Sequence, residues 1–119
     1  MFIHYYIMLV PDKNTSLLHK YHLGNKLLIP MGLTSYALSK SNSITYNPYL
    51  AQFAYIVDSY TLLGLGYHSY FSMSSVITDY LPKLTSSIKI TNMVRYTNIN
   101  VHVLSIIGIH NYLSTTLFY

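Results

Sequence analysis

The sequence predicts an all-α integral membrane protein with three transmembrane helices. Only 8% of the 119 residues are charged, against about 25% in a typical soluble domain, and so few charges cannot coat a soluble fold of this size. Three long segments carry almost none of these charges, and polar loops separate them. The predicted helices cover residues 21–39, 49–81 and 92–118, and residues 1–20 form an N-terminal arm.

The uncharged residues add a second indication about the surroundings of these helices. Mean hydropathy is only mildly positive, because Ser, Thr, Asn and Tyr are abundant. Such residues are acceptable in membrane helices that pack against other proteins. The composition therefore favours a subunit within a complex over helices surrounded by lipid alone. A soluble chain of unusual Tyr- and Asn-rich composition is the alternative.

Several classes of site are excluded by composition. There is no cysteine, so this chain has no disulfide, zinc finger or thiolate iron–sulfur site of its own. The net charge of +4 comes from thinly spread Lys and Arg. No basic run with interleaved aromatic residues indicates a nucleic-acid surface. The basic residues are better interpreted as flanks of membrane segments.

The first segment, residues 21–39, has modest apolar content and carries Pro30 and Gly32 in its middle. A proline there removes one helical hydrogen bond, which membrane helices tolerate when neighbours satisfy the freed carbonyl. The following residues, 40–48, are rich in Ser, Asn and Pro and predict a loop.

The second segment, residues 49–81, follows Pro48, which suits the first turn of a helix, and Pro82 is expected to end it. A helix of about 33 residues is near 50 Å long, which exceeds the ~30 Å hydrocarbon core. We therefore expect this helix to tilt or to project beyond the membrane.

Residues 82–91 predict a second loop, and the third segment, residues 92–118, has no charge after Arg95. It contains His102 and His110, which are about 80° apart around a helix and so do not share a face well. We expect both to make hydrogen-bonded contacts between helices.

One face of the second segment combines a histidine, small residues and an aspartate. At about 100° per residue, Asp79 falls within roughly 20° of His68, and Gly64 and Ser72 lie on the same face. Small residues allow another helix or a flat group to come close, and a histidine in such a groove can offer a ring nitrogen to a metal. Tyr80 stands ~18 Å along the axis from His68, so the two residues would serve different sites.

Residues 57–80 resemble the second transmembrane helix of the D-type small membrane-anchor subunit of succinate dehydrogenase, mitochondrial complex II. That family carries a histidine followed twelve residues later by the tyrosine of an Asp-Tyr pair, which here are His68, Asp79 and Tyr80. It also carries an aspartate after an apolar residue one turn into the helix, at the position of Asp58. We expect Asp58 to be a structural acid, paired with a side chain of a partner.

The sequence departs from the family pattern at three positions. Ser72 and Ser74 stand where family members often have glycines, and Tyr70 stands where a second histidine is frequent. The serines are still small, so close approach to this face is preserved. The change at Tyr70 affects a contact to a heme propionate and leaves the axial ligand in place.

The resemblance implies a role in succinate:ubiquinone oxidoreductase. In that enzyme a flavoprotein subunit oxidises succinate, an iron–sulfur subunit relays electrons, and two membrane anchors form the quinone site. His68 would be an axial ligand of heme b, with the second ligand from the C-type anchor, and Gly64 and Ser72 would leave room for the macrocycle. Tyr80 would hydrogen-bond the ubiquinone, with Asp79 beside it.

The basic residues also predict an orientation. They cluster before the first segment and around the second loop: Lys13, Lys20 and Lys26, then Lys83, Lys89 and Arg95. The positive-inside rule places both groups on the matrix side, or on the cytoplasmic side of a bacterial membrane. With the mitochondrial family that the chain resembles, we expect a multi-pass protein of the mitochondrial inner membrane with its N-terminus in the matrix.

Two other functions stay open from the sequence. One is the anchor of a related fumarate reductase, and the other is a non-catalytic structural subunit of a respiratory complex that has lost heme. An optical spectrum of the purified complex separates these.

Overall fold

The computed structural model describes residues 8–41 and 47–118, with side chains up to residue 115. A short 3₁₀ turn, Pro11–Lys13, precedes three long helices: α1 (Thr15–Ser39), α2 (Pro48–Leu84) and α3 (Ile88–Phe118). The all-α prediction is confirmed. The first seven residues of the predicted arm and residues 42–46 of the predicted first loop lie outside the described residues.

Asparagine side chains begin the first two helices. The side-chain oxygen of Asn14 accepts a hydrogen bond from the backbone N–H of Leu17, and Asn47 accepts from the first N–H groups of α2. Each cap satisfies a donor that has no partner within the helix. Because of the first cap, α1 begins six residues before the predicted start at 21, and residues 15–20 belong to α1 and not to the arm.

The second helix does not end at Pro82, contrary to the prediction. Proline removes one helical hydrogen bond and crowds the carbonyl four residues earlier, but α2 continues past Pro82 to Leu84. The N–H of Thr85 then donates to the carbonyl of Leu81 at 3.0 Å, which closes the final turn. The hydroxyl of Thr85 accepts from the N–H of Ser87 at 3.1 Å, and α3 begins one residue later. The loop predicted over residues 82–91 is therefore only residues 85–87.

The central helix is α2, which packs against both α1 and α3, whereas α1 and α3 make little contact with each other. Two glycines of α2 set the spacing on either side. A Cβ added at Gly64 would lie 2.6 Å from the Cδ2 atom of Leu28 in α1, and one added at Gly66 would lie 2.5 Å from the Cδ1 atom of Ile106 in α3. The side chains of Leu28 and Ile106 therefore occupy the space beside the two glycines, and a larger residue at either position would require their ends to shift.

In the part of the chain that the structure describes, no helix is both long and apolar enough to cross a membrane. The prediction of three helices is confirmed, and the prediction that they are transmembrane receives no support from their hydropathy.

A buried arginine organises one end of the bundle. Arg95 of α3 is only 7% exposed, so it is packed inside the bundle, and its place at a membrane boundary stays a prediction. Its guanidinium donates to the carbonyl of Leu9 at 3.1 Å, to the Ser74 hydroxyl at 3.5 Å and to the Thr78 hydroxyl at 3.0 Å. Ser74 in turn donates to the carboxylate of Asp12 at 2.6 Å. These partners compensate for the cost of removing the cation from water.

Residues 8–14, called here the N-terminal segment, lie against α2 and α3 at this end. Leu9, Val10 and Pro11 are buried, and the Tyr70 phenol donates to the carbonyl of Met8. The predicted arm is thus part of the packed core over these residues.

We predict that Arg95→Met lowers the free energy of unfolding by about 3 kcal/mol, because it removes charge-assisted hydrogen bonds and leaves buried acceptors unpaired. Denaturant titration in detergent measures the loss, and amide hydrogen exchange should accelerate over residues 8–14.

Lys89→Met is the matched control, since Lys89 lies on the same helix and is exposed, and it should change stability by about 0.5 kcal/mol or less. Equal effects of the two substitutions would contradict the importance of the buried guanidinium.

Candidate functional site

His68 lies in the middle of α2 and is held by two residues of α1. Its Nδ1 atom is 2.8 Å from the side-chain oxygen of Asn25. Since a carboxamide oxygen only accepts hydrogen bonds, Nδ1 carries the proton and Nε2 carries the lone pair. The ring of Tyr21 stacks on the imidazole, with centroids 5.3 Å apart and planes 15° from parallel. Both the tautomer and the ring orientation of His68 are therefore fixed.

Gly64 and Ser72, the two residues predicted to line a heme pocket, face α1. Leu28 occupies the space beside Gly64, and the Ser72 hydroxyl shares a 3.0 Å hydrogen bond with the phenol of Tyr21. The small residues thus serve the close packing of α1 on α2. Their role beside a macrocycle stays a prediction.

The surroundings of His68 match those of a metal-binding histidine in one respect. Such histidines usually donate from the nitrogen that does not bind the metal to an oxygen acceptor, which fixes the tautomer, and Asn25 provides that acceptor here. The imidazole ring is half-buried. No group of three or more His, Cys, Asp or Glu side chains that could hold a metal ion occurs among the described residues. The assignment of His68 as an axial ligand of heme iron stays a prediction.

Asp58 is held within the chain. The hydroxyl of Ser35 in α1 donates to its carboxylate Oδ1 atom. This contact is consistent with a structural role for the acid, and its pairing with a side chain of a partner stays a prediction.

Asp79 and Tyr80 lie near the carboxyl end of α2 and are both exposed. Tyr80 is 60% exposed, and the Nζ atom of Lys83 lies 5.0 Å from the centroid of its ring, within the range of a cation–π contact. The phenol is thus accessible and has a positive charge beside it, about 18 Å along the helix from His68.

The two histidines of α3 make the expected contacts between helices. His102 Nε2 lies 2.8 Å from the Ser69 hydroxyl, and His110 Nε2 lies 2.9 Å from the Tyr55 hydroxyl. The predicted hydrogen bonds from α3 to α2 are therefore confirmed.

Sequence reasoning missed Asn25 and Tyr21, because neither stands near His68 along the chain. The separation of 43 residues between Asn25 and His68 is bridged only by the packing of α1 on α2. One signal could have indicated the contact: Asn25 is a polar residue within a segment of few charges, and such residues usually pair across helices.

The chain matches no family model, and no curated protein and no solved structure matches it either.

We predict that Asn25→Leu releases the tautomer of His68. Nitrogen-15 NMR of labelled histidine should show Nδ1 protonated in the unmodified chain, and a mixture of both neutral tautomers in the variant, because the acceptor that Asn25 offers to the Nδ1 proton is lost.

Asn92→Leu is the control. It makes the same substitution at an exposed position of α3, and it should leave the NMR signals of His68 unchanged. If Asn25→Leu also leaves them unchanged, the contact does not fix the tautomer.

Proposed function

We propose that this chain is a membrane-anchor subunit of a succinate:ubiquinone oxidoreductase, located in the mitochondrial inner membrane with its N-terminus in the matrix. In this proposal it helps to hold heme b and forms part of the site of ubiquinone reduction, and it is not catalytic alone. The observation that carries the proposal is that Asp58, His68, Asp79 and Tyr80 occur on one uninterrupted helix, Pro48–Leu84. The resemblance requires this arrangement.

The exposed surface supports a subunit that is covered by other molecules. Large apolar side chains are exposed on all three helices, for example Ile29 at 71%, Met73 at 48% and Leu104 at 68%. Extended apolar surface of this kind marks contacts with other proteins or with lipid. In the proposed complex, the C-type anchor, the iron–sulfur subunit and the bilayer would cover it.

Tyr80 would act on the quinone. Its phenol can donate a hydrogen bond to a carbonyl oxygen of ubiquinone, and the bond strengthens as negative charge develops on that oxygen. The ammonium group of Lys83, held over the same ring, adds positive charge at this place. Asp79 would orient a cationic group of a partner or tune the phenol.

His68 would serve the second site. Asn25 fixes Nδ1 as a donor, so Nε2 is the atom that would coordinate the iron, with the other axial ligand supplied by the C-type anchor. When bound, heme b takes up and releases single electrons. In this chain, Asn25 and Tyr21 of α1 hold the imidazole in one orientation.

The heme assignment is tested on the complex purified in mild detergent, in which we expect a flavoprotein and an iron–sulfur protein to co-purify with the chain. His68→Ala should abolish or shift the reduced-minus-oxidised absorbance of this complex, because the axial nitrogen is lost. Quinone reduction need not fall, since heme can lie beside the main electron path.

His110→Ala is the control, because His110 contacts Tyr55 of α2 and is not a proposed ligand. The absorbance spectrum of the complex that carries His110→Ala should match that of the unmodified complex. An unchanged spectrum and reduction potential in His68→Ala would overturn the heme assignment. Absence of both co-purifying proteins would overturn the proposed function as a whole.

The quinone assignment predicts the effect of Tyr80→Phe, which keeps the ring and removes only the hydroxyl. A hydrogen bond that strengthens with developing charge contributes about 2–4 kcal/mol to the barrier, so quinone reduction should fall roughly 30- to 1000-fold. Succinate-dependent reduction of a quinone analogue measures this. Electron transfer to an artificial dye at the flavoprotein should hardly change.

Tyr60→Phe is a matched control, because Tyr60 lies on the same helix and is 62% exposed. The assignment fails if Tyr80→Phe keeps quinone reduction within about twofold of the control. A parallel loss of dye reduction would indicate disrupted assembly and would also count against it.

A further inference from the structure

The turn between α2 and α3, residues 85–87, is flanked on each side by a lysine and an aliphatic residue. On the α2 side these are Lys83 and Leu84, and on the α3 side they are Ile88 and Lys89. Leu84 is 82% exposed and Ile88 is 74% exposed, and both lysines are exposed as well. These four residues, called here the α2–α3 tip, therefore present apolar and cationic side chains to the same surroundings.

The charge near the α2–α3 tip is predominantly positive. Only three residues of the chain are acidic, and one of them, Asp58, lies in the opposite half of α2. Asp12 lies at this end of the bundle, where its charge offsets that of the buried Arg95. The third acid, Asp79, is exposed, and the two lysines of the tip together with the exposed Lys13 outnumber it. A partner of this surface should therefore be anionic.

The shape of the tip favours one kind of anionic partner. A stable interface with a protein buries about 800 Å² on each side, and a three-residue turn with one aliphatic side chain at each end offers far less. A lipid bilayer has no such requirement. Apolar side chains reach the boundary between headgroups and acyl chains, while lysine ammonium groups stay in the polar layer. Each lysine near an anionic lipid surface strengthens binding by about fivefold.

We propose that the α2–α3 tip docks on an anionic lipid surface. Leu84 and Ile88 insert between the headgroups, and the ammonium groups of Lys83 and Lys89 bind the phosphates of anionic lipids. Lys83 also lies over the ring of Tyr80, but an ammonium group has three N–H donors, so this contact leaves donors for a phosphate. The inference does not rest on the proposed function, since it needs neither heme nor a quinone.

The test uses the full chain reconstituted in vesicles of equal parts phosphatidylcholine and phosphatidylglycerol. Because the chain has no cysteine, Ser86→Cys gives a single attachment point for a fluorescent dye in the turn. Bromine atoms, which quench the dye at short range, are placed in the acyl chains of one lipid or of the other. The two quenching curves give the ratio of the association constants of the tip for the anionic and the zwitterionic lipid. We expect a ratio of about fivefold or more, which should fall as salt screens the exposed charges.

Two pairs of substitutions localise the preference for the anionic lipid. Lys83→Gln with Lys89→Gln removes both cations of the tip and should bring the ratio close to one. Lys26→Gln with Lys40→Gln is the matched control, because it changes the net charge equally at two exposed lysines outside the tip. This control should keep the ratio of the unmodified tip.

Leu84→Gln with Ile88→Gln tests the insertion of the aliphatic side chains and should reduce quenching by both lipids. A ratio near one in the chain that carries only Ser86→Cys would overturn the proposal, whether or not any other variant folds. So would a ratio that stays high after both lysines of the tip are replaced. Absence of quenching by either lipid would place the tip in water or against a protein, and would also overturn the proposal.

Discussion

The arrangement of the N-terminal segment, α2 and α3 depends on the burial of one guanidinium. Arg95 is enclosed where water cannot hydrate it, so its N–H groups need protein acceptors. Those acceptors come from Leu9 in the N-terminal segment and from Ser74 and Thr78 in α2. Because hydrogen bonds are directional, this set of acceptors fixes one register between the three parts. Asp12 supplies the nearby negative charge through Ser74.

The same cluster gives two further residues of α2 a structural role. The hydroxyl of Ser74 connects Arg95 to Asp12, which a glycine at this position could not do. The phenol of Tyr70 donates to the carbonyl of Met8. Both residues therefore hold the N-terminal segment against α2.

Local patterns predicted the number of helices and the face of α2 that carries His68, Gly64 and Ser72, which lies against α1. They failed at Pro82, because the helix continues past the proline and its last turn closes at Thr85. They also failed to predict that Arg95 is buried, because its partner lies far along the chain. The acceptor of Arg95 at Leu9 is 86 residues away, and no periodicity within one helix contains that information. The contact of Asn25 with His68 was not predicted for the same reason, since 43 residues separate the two.

The contact between Leu9 and Arg95 has a consequence for biosynthesis. The N-terminal segment leaves the ribosome long before Arg95, since 86 residues separate them, and chain synthesis proceeds at about 5–20 residues per second. For several seconds, the carbonyl of Leu9 has no guanidinium from which to accept, and the apolar side chains of the segment have no α3 to pack against. Docking of this segment can therefore be completed only after the beginning of α3 has been made, and a chaperone or an early partner has that interval in which to bind it.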